Sequence, residues 1–341
     1  MKKIHALLLA LGLIFLGCLV WKIGPTRLWS EFASLGWGLA VFIGFEFLAE
    51  GLHTKGWSYC LDGRYRRMSW FQLFRIRLAG NAINYLTPTA AMGGEVTKAA
   101  LLSSNHKSPE AISGVLIGRL STGVAHASFV ACGSIVVMCD AHLPRPVWAA
   151  MFASGGCVIA GMLVFLLLQK YGKLGVFVRW LAARPFAGRF LQKLAREISS
   201  VDESLKAFYR ERPGDLAPSV AWQWLGHSTG LLQTWWFLTL LHHPFSPETI
   251  ATVWVLGMWF DLLTFAVPLN MGTLEGSRIV AFKAAGLGVL GGMTYGLALR
   301  LAQLSVACFG LISYALFVKA ASLKTPYPME QTQVVPVEPR R

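Results

Sequence analysis

Leu86-Thr-Pro-Thr-Ala-Ala-Met-Gly-Gly-Glu95 interrupts one apolar stretch of this chain, and Ala266-Val-Pro-Leu-Asn-Met-Gly-Thr-Leu-Glu275 interrupts another. In both, a proline leads and a glutamate follows at the same spacing, Pro88 to Glu95 and Pro268 to Glu275. Each is trailed by an arginine inside the next apolar run, Arg119 or Arg300. Proline removes a backbone donor and clashes with the preceding turn, so neither stretch reads as an intact helix. Proline, glycine and charge are costly at membrane depth, and a duplicated set of them points to a site.

The surroundings of the two interruptions set the class of protein. Hydrophobic residues make up 55% of the chain and charged residues only 14%, where a soluble domain carries about 25% charged. The reading is an all-α polytopic membrane protein. Apolar runs of about 20 residues suffice to cross the hydrocarbon, and six stretches are long enough: 4–23, 35–60, 110–139, 147–168, 215–241 and 288–319. Two more, 70–104 and 247–286, are broken near the middle and read as re-entrant helices. Irregular backbone inside a bilayer has to be buried in protein or line a wet cavity. The 13 tryptophans, many near span ends, fit interfacial belts.

The net charge of +14 does not indicate nucleic acid, because the basic residues sit in loops beside apolar runs. Arg64, Arg66 and Arg67 follow the second span, 169–214 is rich in Lys and Arg, and Lys319, Lys324, Arg340 and Arg341 close the chain. The alternate connections are poor in them, which places both termini in the cytoplasm of a bacterial inner membrane. Lys2-Lys3 before an apolar run resembles a signal peptide, but no small-residue cleavage site follows, and a retained span is the better reading. Three full spans separate the broken regions, so they open to opposite sides. Repeat one (about 70–139) and repeat two (about 247–319) then form an inverted repeat within a single membrane domain, 1–322. The segment 173–212 is basic and amphipathic and is expected along the cytoplasmic surface. Residues 323–341 read as a disordered tail.

A broken helix presents the N-terminus of its second half, with free N–H groups and a positive dipole end. Those half-helices are expected to begin near Glu95 and Glu275, with Lys98 and Arg278 one turn on. Lys98, Arg278, Arg119 and Arg300 would converge on an anionic group such as a lipid phosphate, which the planar fork of arginine suits. Glu95 and Glu275 are equally readable as capping carboxylates that hold the fold. Asn84 and Asn270 border the breaks and can satisfy freed backbone groups or touch a ligand. Asp261 can pair with a nearby cation. Pro88, Gly93, Gly94, Pro268 and Gly272 are the helix-break residues. Glu46 and Glu50 share a helix face with His53 and can relay protons, or can neutralise cations of neighbouring helices. The six cysteines lack metal-ligand spacing, His242-His243 has no matching ligands, and no cofactor or metal is expected.

Asn84-Tyr-Leu-Thr-Pro-Thr-Ala-Ala-Met-Gly-Gly-Glu-Val-Thr-Lys-Ala-Ala-Leu-Leu102 resembles the first signature of the lysylphosphatidylglycerol synthase/flippase-like membrane family. Phe265-Ala-Val-Pro-Leu-Asn-Met-Gly-Thr-Leu-Glu-Gly276 is similar to its second, and the combination looks closest to the hopanoid-biosynthesis-associated branch. The resemblance implies movement of a lipid between leaflets. Phospholipid, hopanoid or polyprenyl-linked lipid are the implied partners, with homo-oligomers or lipid-synthesis enzymes as further ones. Some relatives carry a soluble aminoacyl-transferase domain, and none is expected here. The rival readings are a membrane enzyme acting on a lipid phosphate and a non-transporting scaffold of a lipid-synthesis complex. No catalytic constellation supports the first.

Overall fold

A computed structural model describes residues 21, 24–86, 92–103, 108–140, 145–183, 199–242, 245–264 and 270–323. Pro88, Pro268, the expected first span 4–23 except residue 21, and the tail from residue 324 lie outside the described residues. Among the described residues the regular structure is helical, with no strand. In chain order the helices are α1 (Pro25–Ser34), α2 (Gly38–Cys60), α3 (Gly63–Arg66), α4 (Trp70–Leu86), α5 (Met92–Leu102), α6 (Pro109–Asp140) and α7 (Arg145–Lys170). They continue with α8 (Leu174–Ala182), α9 (Ser199–Glu211), α10 (Leu216–Leu240), α11 (Pro247–Thr264), α12 (Thr273–Ala284) and α13 (Val289–Leu323).

Two helices are long and apolar enough to cross a membrane unaided, over Pro109–Met138 in α6 and Val289–Lys319 in α13. The number rises to four if two bent pairs each count as one span: α1 with α2, which meet at 77°, and the end of α7 with α8, which meet at 113°. Of the six expected full spans, 110–139 and 288–319 therefore qualify alone, and 35–60 and 147–168 qualify only within bent pairs. The stretch 215–241 forms α10, but its serines, glutamines and threonines dilute its apolarity. Those side chains face inward: Ser219, Gln223, Gln233 and Thr234 are all buried. Outward faces show the reverse, with Ile135, Val136, Leu163, Val164, Leu232, Ile312 and Leu316 exposed. A surface this apolar is at home against acyl chains rather than water.

Helices α2 and α10 run antiparallel as the central pair. Ser219 donates to the Gly56 carbonyl (2.8 Å), Gln223 to the His53 carbonyl (3.2 Å), Gln233 to the Phe42 carbonyl (3.0 Å) and Trp236 to the Gly38 carbonyl (2.9 Å). Such bonds hold helices together where water offers no hydrophobic drive. Around this pair the broken helices exchange partners. The first half of one, α4, packs on α13, with the Leu78 carbonyl against Gly310. The first half of the other, α11, packs on α6, with Val255 against Gly133.

At the basic end, α8 and α9 fold onto the ends of α2 and α6. Leu174, Val178, Val201, Leu205 and Phe208 join Trp57, Leu61 and Ile117 in one core. Burial raises the Tyr209 phenol above its ordinary range, and the phenol donates to Gln169 (2.9 Å). The outer face of α8 leaves Val176, Phe177 and Trp180 exposed. Residues 184–198 of that segment are outside the described residues.

Candidate functional site

At the first break, α4 ends and α5 begins beside it. Asn84 accepts a hydrogen bond from the Gly94 N–H (2.6 Å), so it satisfies one of the donors that a helix start leaves free. Gly94 lies so close to α4 that a Cβ there would overlap the Gly80 carbonyl and the Asn84 side chain. Gly94→Ala is therefore expected to cost about 1–3 kcal/mol, as overpacking does. A thermal melt of the detergent-solubilised protein checks it, with Gly44→Ala, which meets no atom, as the control.

Glu95 stands in the first turn of α5. It pairs with Lys98 at 3.1 Å, and Arg119 approaches it at 3.9 Å. Lys98 is buried, whereas the Arg119 side chain is 56% exposed. One turn back along α4, Arg77 binds Glu50 (2.8 Å), and the Asn81 amide reaches both oxygens of that carboxylate (3.0 and 3.1 Å). Gly93 accepts from Thr97 within α5 (2.9 Å).

The second break is built differently. Asn270 and Gly272 both have positive φ, 47° and 74°, and turn the chain into α12. This backbone region is open to glycine and tolerated by asparagine. Glu275, in the first turn of α12, is fully buried. Arg300 of α13 grips it through Nε and, at 3.0 Å, through Nη2. The same guanidinium donates to the Asn270 carbonyl (3.0 Å) and to the Tyr85 hydroxyl on the last turn of α4 (3.2 Å). Arg300 thus touches both breaks at once. Arg278, 2% exposed, turns back toward α11 and binds Asp261 in bidentate fashion, at 2.7 and 3.3 Å. Gly257 leaves room for its guanidinium.

Glu46, on α2, is partly buried beside Gln233 of α10, with Glu50, Asp261 and Arg278 within electrostatic reach. Three imidazoles meet where α2, α6 and α10 come together: His227 contacts His53 and His126 edge to face, with ring centroids 4.8 and 5.2 Å apart. Among the described residues no group of His, Cys, Asp or Glu forms a metal site.

The lysylphosphatidylglycerol synthase TM region family matches residues 4–310. The chain belongs to that family. It is also similar to a "UPF0104 membrane protein" of Methanothermobacter thermautotrophicus (strain Delta H), 23% identical over 297 residues that cover 84% of this chain and 87% of that protein. No solved structure matches. Family membership and the apolar outer faces together make this a multi-pass membrane protein.

Both interrupted motifs fall inside the matched region of this family, yet their charges are distributed unequally. Each of the four cations read from the sequence has a carboxylate partner: Lys98 and Arg119 share Glu95, Arg278 holds Asp261 and Arg300 holds Glu275. Asn84 does serve freed backbone, and Asn81, three residues earlier, binds Glu50. Tyr85 and Arg77 were not singled out in the sequence. Arg77 carried a signal, a charge inside the apolar region 70–104, but Tyr85 carried none, since only the approach of α13 gives it a partner.

Proposed function

We propose that this protein moves an acidic lipid between the leaflets of a bacterial inner membrane. Six full spans and two re-entrant helices would form an inverted repeat around the polar site, with both termini cytoplasmic. Arg119 is the first ligand of the headgroup phosphate. The observation that carries this reading is the state of Arg119 relative to its neighbours. Its side chain is the most exposed of the paired site cations, and its contact with Glu95, at 3.9 Å, is the longest. A phosphate arriving there meets a guanidinium that gives up little, beside the N-terminal end of α5, where the helix dipole favours negative charge. The exchanged packing of α4 on α13 and of α11 on α6 supports the two-fold arrangement. The lipid tails stay in the bilayer while the headgroup crosses.

The test is reconstitution with a fluorescent phosphatidylglycerol and a membrane-impermeant quencher. The wild-type protein exposes the inner-leaflet probe to the quencher, and Arg119→Gln slows this by about tenfold or more, the weight of one charge-assisted hydrogen bond. A variant as fast as wild type overturns the assignment of Arg119. A chemically altered lipid recovered by mass spectrometry would instead make the protein an enzyme. Hopanoid or polyprenyl-linked probes, run in parallel, rank the lipid classes.

A further inference from the structure

The outward face of α2 changes character toward its end. Val41, Leu48 and Lys55 follow one another at two-turn intervals, and Tyr59 stands one turn on. Val41 and Leu48 are exposed and apolar, and Lys55 is exposed and charged. The opposite face turns inward, where Trp57 is buried and its indole donates to the Gly114 carbonyl of α6 (3.3 Å). Lys55 and Tyr59 therefore lie on the side of α2 away from α6 and Arg119. The Lys55 ammonium is 5.7 Å from the centre of the Tyr59 ring, and the Arg66 guanidinium, from α3, is 5.5 Å from the same centre. One ring thus gathers two like charges. The nearby carboxylates are already taken, Asp215 by Arg66 (2.6 Å) and Asp62 by Arg212 (2.9 Å). Lys55 and the adjoining, exposed Arg67 have no carboxylate partner among the described residues. One turn back along α2, Trp70 from the start of α4 docks on the helix, its indole donating to the Gly51 carbonyl (3.3 Å). Stacking on Phe74 fixes that ring, while Trp70 and Phe71 both stay about half exposed.

We propose that Lys55, Tyr59 and Arg66 bind the phosphate of an acidic phospholipid resident in the leaflet at the basic end, with its tails along Leu48, Trp70 and Phe71. Unmatched positive charge beside exposed apolar surface calls for an anion that carries long tails. A soluble anion would answer the charge and leave the aromatic and aliphatic surface bare. Basic groups at a membrane surface attract acidic headgroups, and aromatic rings sit at headgroup level. Lys55 meets the phosphate as a point charge, and Arg66 keeps donors beyond the two it directs at Asp215. The face of the Tyr59 ring steadies both cations against their mutual repulsion. This lipid is a structural ligand, separate from the cargo proposed for Arg119. It touches α2, α3 and α4 together, and so clamps the corner from which the first broken helix sets out.

Native mass spectra of the full-length protein, released from mild detergent with phosphatidylglycerol and phosphatidylethanolamine added in equal amounts, test the site. The wild-type protein is expected to retain phosphatidylglycerol in preference. Lys55→Gln lowers that retention about fivefold or more, the weight of one cation near an acidic lipid surface, and Lys55→Arg restores it. Lys55 is exposed and holds no ion pair among the described residues, so the replacement tests binding rather than folding. Arg210→Gln, which removes another exposed cation at the same end, leaves the retained lipid in place, and so does Arg119→Gln. Equal retention of the two lipids, or a Lys55→Gln variant that retains phosphatidylglycerol as wild type does, overturns the site. An equal loss in Arg210→Gln also overturns it, since the whole basic end would then be attracting lipid without a defined place. Excess inorganic phosphate is expected to leave the complex intact, and displacement by phosphate, or a bound mass that is not a lipid, defeats the lipid assignment. Retention is read without any transport, so a protein that moves no lipid in liposomes can still hold this one, and one that moves lipid can lack it.

Discussion

Glu275→Ala is expected to leave little folded protein, whereas Glu95→Ala is expected to leave most of it. The two residues occupy the same place in the duplicated motif, so sequence alone assigns them equal weight. Glu275 is fully buried and accepts from Arg300 through two nitrogens. Removing it strands a guanidinium inside the protein, and breaking a buried pair costs about 3–5 kcal/mol. That is a large share of the total stability of a protein, about 5–15 kcal/mol. The loss also spreads, because Arg300 is the group that joins the Asn270 carbonyl to Tyr85. Glu95 is 19% exposed, and one of its partners, Arg119, lies mostly open. A partly solvated pair contributes nearer to 1 kcal/mol. Size-exclusion profiles and thermal melts in a mild detergent compare the two variants directly. Equal losses would mean that the breaks are energetically equivalent and that the unequal burial carries no weight.

This inequality marks how far the sequence could be read. Helical class, the two interruptions and most helix positions were legible, because apolar length and proline placement act locally. The starts of α5 and α12 fall within a few residues of Glu95 and Glu275 for the same reason. The partners of the charges were not legible. Arg278 follows Glu275 by less than one turn and reads as part of its helix end, yet it points to Asp261 because Gly257 opens a path through α11. Glu46 and Glu50 read as a matched pair on one face. The neighbouring helices separate them, since α4 supplies Arg77 to one and α10 supplies only Gln233 to the other. The strict count of spans also depended on tertiary context. Helix α10 carries its polar residues on the side that meets α2, where they are satisfied, and a hydropathy reading along the chain registers only that they are polar.

Arg278→Met is expected to destabilise the protein, though less than Glu275→Ala, and the double replacement Arg278→Met with Asp261→Leu to recover most of the loss. The single change leaves the Asp261 carboxylate, whose side chain is 31% exposed, without the guanidinium that now binds it through two oxygens. It also removes a side chain that is among the largest fully buried ones in the structure. Methionine fills much of that volume, so the cost is chiefly that of a carboxylate left without its partner, about 1–3 kcal/mol for a group that keeps some contact with its surroundings outside the protein. Removing both charges takes away the desolvation penalty together with the attraction, and buried pairs replaced by apolar residues of similar size are often neutral or stabilising. Arg278 has a second liability in the present structure: its Nε is buried without a partner among the described protein groups. An unsatisfied buried donor of this kind costs about 1–3 kcal/mol, and methionine relieves it. If the pair only braces α11 against α12, the stable double variant will move lipid as wild type does. If the Arg278 charge is needed for translocation itself, the double variant will melt near the wild-type temperature and move lipid at least about tenfold more slowly. Melting and translocation measured on the same preparation separate the two, because a brace is replaceable by apolar packing whereas a required charge is not.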